Sequence, residues 1–349
     1  MGDMQELLKA LADASDDATA DKIAELLESA EAARETKQTE RANDYCSQAI
    51  DLVEGCLPAK TRALVLEKLD GSTEKIEELV EAGEQAEEAL NILVMLSQLL
   101  QLRGELGMDK AQFDAARADL SEAFAISVKI SDEAAAARCR RSEGMLLLMR
   151  KDIKGAEEAL GEAIQLCRSA GDGKEEVETV KLVAQLHEGR DSKFDFCCEL
   201  FHHSLEALQA DGDMEAVNST LLLLGQFRLR KHLSDTESGT EMEFAQLEMT
   251  DLDIQGAVTY FQAQLDEAGD STGEAEDGLR SKMAGALTAA GTIKMLLGDQ
   301  PGAEAALKSA CKLYQDVGDE EGEQSADALL SDVTRIMNKV DSTSTTPIS

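Results

Sequence analysis

The sequence contains no tryptophan and has few other aromatic residues, with eight Phe and three Tyr among 349 positions. Such a low aromatic content argues against stacking surfaces for bases or sugars, and against a β-sandwich core that depends on large rings. Only three prolines are present, so long stretches lack the commonest helix breaker. The composition therefore predicts an all-α chain that is helical almost throughout.

Basic residues are also scarce, because 34 Lys and Arg stand against 70 Asp and Glu, for a formal net charge of -36. An acidic surface repels phosphate backbones and anionic lipid, so we expect neither nucleic acid nor a membrane as a partner. The longest apolar runs, such as Leu221 to Leu224, are far shorter than the ~20 residues that cross a bilayer. Hydrophobic residues still make up 43% of the chain, which is enough for a sizeable core.

The seven cysteines are odd in number and have no paired spacing, which is typical of reduced thiols in a cytoplasmic or nuclear protein. Cys198 and His202 are four residues apart and would share a helix face, but two ligands do not complete a zinc site. The segment from Asp251 resembles the start of a calcium loop, although Gln262 stands where a bidentate carboxylate is needed. No phosphate-binding loop or nucleophile motif is present. We therefore predict no metal, no cofactor and no enzymatic activity.

Internal repeats are the main organising signal in the sequence. A Ser/Gly-Asp dipeptide recurs at intervals of 40, 41, 57 and 49 residues, and Asp152 and Asp299 mark further turns between these positions. Aspartate can cap the first turn of a helix, and Pro301 suits a first helical position. The pattern predicts helix, turn, helix, turn, repeated along the chain. The dipeptides are Ser131-Asp132, Gly171-Asp172, Gly212-Asp213, Gly269-Asp270 and Gly318-Asp319.

Three of the repeats align without a gap, and each has a glycine, an alanine, a leucine and an alanine at the same spacing. Small residues at three of these places let two antiparallel helices approach closely while the leucine fills the gap between them. This spacing resembles the tetratricopeptide (TPR) repeat, with a longer period of 40 residues. The resemblance implies a right-handed α-solenoid of antiparallel helix pairs. The aligned sets are Gly104, Ala116, Leu120, Ala123; Gly144, Ala156, Leu160, Ala163; and Gly291, Ala303, Leu307, Ala310.

The repeat pattern predicts four regions: an N-terminal helical region with degenerate repeats (1–82), the repeat array (83–318), a capping helix (319–340) and a disordered tail (341–349). One repeat begins at Leu224-Gly225 and resumes at Ala257 and Phe261, which is 20 residues later than in the other repeats. We predict that this acidic insertion, near 232–253, is a loop. The alternative is a solvated loop that the fold merely tolerates. If part of the loop instead folds back or docks onto a partner, the candidate positions are its apolar residues Met242, Phe244, Leu247 and Met249.

The TPR resemblance also implies a concave groove lined by the first helix of each pair. Its positions in the second aligned repeat are Arg138, Arg141, Met145, Leu148 and Met149. In the following repeat they are Thr179, Leu182, Leu186, Gly189 and Arg190, and in the interrupted repeat they are Ser219, Leu222, Gln226, Leu229 and Arg230. Four of the scarce basic residues therefore lie among Leu and Met, which predicts a groove for an acidic and apolar segment. The alternative is that these arginines only pair with neighbouring acids.

Taken together, these patterns predict a non-catalytic scaffold or adaptor that binds a protein partner in its groove, within a cytoplasmic or cytoskeletal assembly. The alternative function is an acidic chaperone for basic clients such as histones. That hypothesis depends on the acidic insertion, because the interrupted repeat resembles histone-binding TPR proteins. The two functions predict opposite responses to salt and to reversal of charge in the groove.

Overall fold

The computed structural model describes residues 17–69, 73–81, 84–188, 190–238, 244–268 and 273–344. Over these ranges the chain forms helices and no strand, which confirms the predicted all-α class. In chain order the helices are α1 (Asp17–Glu35), α2 (Thr39–Cys56), α3 (Ala59–Lys68), α4 (Thr73–Glu81), α5 (Glu84–Asp109), α6 (Phe113–Lys129), α7 (Glu133–Met149), α8 (Ile153–Ala170), α9 (Gly173–Leu186), α10 (Asp191–Asp211), α11 (Met214–Ser238), α12 (Phe244–Ala268), α13 (Glu274–Leu297), α14 (Gln300–Val317) and α15 (Glu320–Ser344).

The helices fall into two compact units, a first unit Met1–Leu186 and a second unit His187–Ser349. Within each unit most consecutive helices pack against each other, and alternate helices such as α5 and α7, or α11 and α13, are also in contact. Because short turns join the neighbours, they form antiparallel pairs that stack on the next pair. This packing confirms the predicted helix-pair repeat. The proposed division into 1–82, 83–318 and a capping region stays a prediction.

The four recurring dipeptides that fall within the described residues lie between two helices, and each of their two residues has a distinct role. The first residue adopts a left-handed conformation that ends a helix, with φ of 70° at Gly171 and 57° at Ser131. The second caps the next helix, since an Asp172 oxygen accepts the Glu175 N–H at 3.0 Å. Such a turn needs a glycine or a tolerant polar residue, followed by a capping side chain. The dipeptide Gly269-Asp270 lies outside the described residues.

The aligned glycines lie where two helices of a pair come closest. A Cβ added to Gly144 would lie only 2.6 Å from Leu160 Cγ. The equivalent distances are 2.9 Å from Gly104 to Leu120 Cγ and 2.7 Å from Gly291 to Leu307 Cγ. Real Cβ atoms do not approach other carbons so closely, so a larger residue at any of these positions would force the leucine or the helices to shift. The predicted close approach of small residues around a leucine is therefore present in three pairs.

The insertion in the interrupted repeat is mostly helical, so the prediction of a loop near 232–253 is wrong. Helix α11 continues to Ser238 and α12 begins at Phe244. The apolar side chains that interrupt the acidic sequence explain the difference, because Leu247 and Ile254 are fully buried and stabilise α12 by packing. Met249, in contrast, is exposed. Met242 lies outside the described residues, as does the rest of 239–243.

The helical insertion also changes the alignment of this repeat. A Cβ added to Gly225 would lie 2.6 Å from Ile254 Cγ1, so Ile254 occupies the place that the sequence alignment assigns to Phe261. The two residues Gly225 and Ile254 are 29 apart, against 16 in the aligned repeats, so the insertion has 13 residues and not 20. Asp253 consequently lies inside α12 and does not open a helix.

The last helix, α15, closes the second unit. Val333 of this helix packs with Ala303 and Leu307 of α14, and Ala326 is fully buried. The helix continues to Ser344, so the first four residues of the predicted disordered tail are helical. Residues 345–349 lie outside the described ranges. Over the described part of the chain, no helix is both long enough and apolar enough to cross a membrane.

All seven cysteines are free, and five of them are buried. Burial raises the pKa of the Cys46, Cys139 and Cys167 thiols to about 12 and that of Cys197 to about 11. These groups therefore stay protonated at neutral pH, and the thiol form reacts poorly with electrophiles.

We expect iodoacetamide at pH 8 to alkylate Cys311 and Cys198, which are partly exposed, well before the buried cysteines. Peptide mass spectrometry at increasing reaction times measures the order of modification. The same reaction in denaturing urea is the control, because all seven thiols should then react at similar rates. Equal labelling of Cys167 and Cys311 in the native protein would contradict the packing of α8.

Candidate partner-binding site

In the first unit, the two predicted groove arginines lie on α7 and face an internal acid. Arg141 Nε donates a hydrogen bond to a carboxylate oxygen of Glu175 on α9, and Arg138 also acts on Glu175 electrostatically. Burial raises the pKa of Glu175, while the charge of Arg141 opposes this shift. The charge of Arg141 is therefore balanced by Glu175 within the protein. For this residue the structure agrees with the alternative prediction, in which the groove arginines only pair with neighbouring acids.

The remaining predicted groove residues of the first unit differ in exposure. Thr179 and Leu186 are buried, and the Thr179 hydroxyl donates to the Glu175 carbonyl oxygen. Met145 packs against the core residues around Leu120 and Leu146. Met149 is exposed. Leu148 and Leu182 are partly buried. The predicted residue Gly189 belongs to the second unit and lies outside the described residues. The predicted groove residues of the first unit therefore include only a few accessible apolar side chains, and Arg141 among them is bound by Glu175.

In the second unit, an open groove of about 340 Å³ lies along α11 and α13. We call it the α11–α13 groove. Of the predicted residues, Gln226, Leu229 and Arg230 line it, while Leu222 is buried and is not part of the lining. Its walls are Gln226, Leu229, Arg230 and Leu233 of α11, Gly285, Thr288, Ala289 and Thr292 of α13, Tyr314 of α14 and Leu329 of α15.

Sequence reasoning missed the α13 side of this groove. Gly285, Thr288 and Thr292 have the same offsets from Gly291 that Ser219, Leu222 and Gln226 have from Gly225. Extending the alignment by one repeat would therefore have found them. No such sequence pattern indicates Tyr314 and Leu329, because they lie on α14 and α15, for which no groove positions were predicted.

The α11–α13 groove combines an apolar wall with several hydrogen-bonding groups. A Cβ added to Gly285 would lie 3.8 Å from the Tyr314 hydroxyl and 3.9 Å from Gln226 Nε2, so the missing side chain leaves both polar groups accessible from the groove. Burial raises the pKa of Tyr314, and a hydrogen bond with Thr288 opposes the shift. Arg230 lies at the edge, with its side chain 57% exposed and Nε 3.7 Å from Glu188. Such a surface can bind apolar side chains and hydrogen-bond to an extended backbone.

A second cavity, of about 250 Å³, lies between α10 and α11 and is called here the α10–α11 cavity. The structure brings the predicted residues Arg190 and Arg230 together in its lining. The rings of Phe194 and Phe227 are stacked there, with centroids 5.2 Å apart. The other lining residues are His187, Glu188, Lys231 and Ser234.

Arg228 of α11 forms an ion pair with Asp253 of the acidic insertion. Sequence reasoning did not single out this arginine. Its guanidinium donates to Asp253 Oδ2 at 2.7 Å and meets His202 Nε2 at 2.9 Å. Burial raises the pKa of Asp253, and Arg228 opposes this shift. The Arg228 guanidinium thus contacts His202, the histidine that shares a helix face with Cys198 and was considered above as a zinc ligand. Across the residues described, no cluster of three or more potential metal ligands is found.

The stacked helix pairs and the glycine–leucine contacts define a TPR-like helical-repeat protein. No family model matches the chain, and no curated protein matches it. Among solved structures, the apo form of RapI is 12% identical with a TM-score of 0.36, and the match covers 91% of this chain and 99% of that one. A Rap protein complexed with Competence and Sporulation Factor is 11% identical over the same shares, also with a TM-score of 0.36. The TPR domain of P58(IPK) is 12% identical with a TM-score of 0.14, over 91% of this chain and 99% of that one.

Proposed function

We propose that this protein is an interaction scaffold that binds a partner segment in the α11–α13 groove. The observation that carries the proposal is the lining of this groove, which contains Leu229, Leu233 and Leu329 together with the polar side chains of Gln226, Thr288 and Tyr314. Apolar positions provide affinity through burial, while the polar groups set the orientation of a bound segment. The partner is therefore a peptide or helix that presents apolar residues.

Charge at the groove edge selects the kind of segment. Arg230 is well exposed and its Nε lies 3.7 Å from a carboxylate oxygen of Glu188, so the guanidinium can exchange this contact for a partner's acid. At long range the net charge of -36 repels an acidic partner, but salt screens that repulsion beyond about 10 Å. We propose a segment in which an Asp or Glu lies beside apolar residues.

A binding module is proposed here, and not an enzyme, because of the groups that line the groove. The titratable side chains in its described lining are Arg230 and Tyr314, and these two do not form a nucleophile with its base. The free thiols fit a reducing compartment, which supports a cytoplasmic protein. Membership of a cytoskeletal assembly remains part of the proposal.

The test is selection of binders from a displayed library of random 12-residue peptides on the purified full chain. We expect enriched peptides to combine apolar residues with Asp or Glu. Arg230→Glu should weaken a selected peptide roughly 10-fold, equivalent to about 1.4 kcal/mol, because the mutation replaces attraction by repulsion. Leu233→Asp should weaken it further by placing a charge on the apolar wall. Fluorescence anisotropy measures both.

Arg335→Glu is the matched control, since Arg335 of α15 is exposed and lines neither cavity. This variant should bind the selected peptide with the same affinity as the wild type. The chaperone alternative predicts a different result. If the selection returns Lys- and Arg-rich peptides whose binding falls steeply with salt and ignores Arg230→Glu, the groove proposal is wrong and an acidic chaperone is supported.

A further inference from the structure

We propose that the α10–α11 cavity is a binding site for a single carboxylate carried on an aromatic or bulky apolar body. This site is separate from the proposed peptide groove, although Arg230 lines both. The inference depends on three properties of the cavity: its apolar floor, its balance of charge and its size.

The apolar floor comes from two phenylalanines on neighbouring helices. Phe194 lies in the first turn of α10 and Phe227 in α11, and their rings stack at an interplanar angle of 14°. On α11, Phe227, Arg230, Lys231 and Ser234 follow each other at helical spacing, so they share one face. The lining therefore offers a bound aromatic group phenyl rings and cationic groups side by side.

The charges in the lining favour one negative group. Lys231 is paired with Asp235 one turn later on α11, and Arg230 has Glu188 at 3.7 Å. Arg190 is exposed and forms no ion pair among the residues whose side chains are described. Lys231 thus already has a carboxylate partner, the exposed Arg230 has a long contact with Glu188 that it can exchange, and Arg190 has no carboxylate partner among the described side chains. A planar guanidinium binds a carboxylate with two parallel hydrogen bonds. Three cations with two neighbouring carboxylates leave one positive charge in excess, which a monoanion matches better than a phosphate dianion.

The volume limits the ligand to a small one. About 250 Å³ lies just below the usual range for drug-sized ligands, which begins at about 300 Å³. A phenyl ring with a short carboxylate chain is of the right size, whereas a nucleotide is too large. The same chemistry can come from a free aromatic acid or from a Glu side chain beside a Phe in a partner protein.

The experiment is a ligand-observed NMR titration of the full-length protein with 3-phenylpropionate and with its neutral match, 3-phenylpropanamide. For a fragment of this size we expect a Kd of roughly 1–10 mM for the acid, and binding at least about 10-fold weaker for the amide. Arg190→Gln should reduce binding of the acid to the level of the amide. Since Arg190 is exposed and forms no ion pair with a described side chain, this variant should keep the wild-type circular dichroism spectrum.

Two further variants define the site. Ser234→Trp fills the cavity from α11 and should block both compounds, while Arg335→Gln, an exposed arginine elsewhere in the second unit, should change nothing. Equal affinity for acid and amide, or unchanged binding in both Arg190→Gln and Ser234→Trp, would overturn the proposal. Arg190 does not line the α11–α13 groove, so peptide binding there should survive Arg190→Gln, and the two proposals can fail separately.

Blocked dipeptides distinguish the two sources of the carboxylate. Acetyl-Phe-Glu-amide is compared with its neutral match, acetyl-Phe-Gln-amide. Tighter binding of the Glu dipeptide than of 3-phenylpropionate supports the site with a partner protein as the source. Binding of 3-phenylpropionate with exclusion of both dipeptides supports the site with a free small molecule as the source.

Discussion

Replacing Phe261 by alanine is expected to lower the free energy of unfolding by about 3–5 kcal/mol. The ring is 0% exposed and belongs to the core cluster that α12 forms with α13, together with Ile254 and Ile293. It also meets the Tyr260 ring edge-on, with centroids 5.6 Å apart. Truncation removes the transfer free energy of the ring and leaves a cavity that the two helices cannot close completely. Urea denaturation followed by circular dichroism measures the loss.

Phe196→Ala is the matched control for this prediction. Phe196 of α10 is 44% exposed and its ring contacts are an edge-on approach to His187 and a cation–π contact with Lys193. A substitution at such a position usually changes stability by no more than about 0.5 kcal/mol. Similar losses for the two variants would mean that α12 does not pack through Phe261. Because the chain has two compact units, the transition assigned to the second unit is the one to compare.

Gly144→Ala is expected to destabilise the protein by about 1–3 kcal/mol, although alanine favours a helix over glycine by about 1 kcal/mol. The new Cβ would lie 2.6 Å from Leu160 Cγ, and this branch atom cannot move away without shifting the whole side chain or separating α7 from α8. The overpacking cost should therefore exceed the gain in helix propensity. The change in urea midpoint at constant m-value measures the difference.

The same substitution one helix later provides the comparison. Gly161 lies in α8, and a Cβ added there would meet nothing within 4 Å, so Gly161→Ala should stabilise the protein by about 0.5–1 kcal/mol. In the Gly144→Ala background, Leu160→Ala should cost less than it does in the wild type, because it relieves the clash. Stabilisation by both glycine substitutions would show that α7 and α8 are farther apart than described.

The turns and the helix-pair contacts were predictable from the sequence because they depend on residues close together in the chain. A residue that tolerates a left-handed conformation, followed by a capping aspartate, specifies the junction at Gly171-Asp172 without help from distant residues. The contact of Gly144 with Leu160 joins positions only 16 apart, so a fixed spacing reveals it wherever the hairpin has its ordinary length. The same local rules, applied to α13, would have added Thr288 and Thr292 to the groove.

The candidate site was predictable only in part, because the sequence does not show which charges are compensated. Arg141 and Arg230 are both predicted to lie on the groove face of a first helix. In the structure, however, Arg141 is bound by Glu175, 34 residues away, while Arg230 is largely exposed. A position in the repeat identifies the face on which an arginine lies. Whether a carboxylate from another helix reaches it depends on how the pairs stack.

The sequence by itself determined an all-α chain of helix pairs, the turns between them and the glycines at their closest approach, since all of these follow from local backbone preferences and short spacings. Only the tertiary structure decided that the acidic insertion is helical, that Ile254 and not Phe261 packs on Gly225, and that Arg190 and Arg230 share one cavity. The physical reason is that a helix of 25 residues has several faces on which its apolar side chains could be buried. Packing against α11 and α13 selects among them.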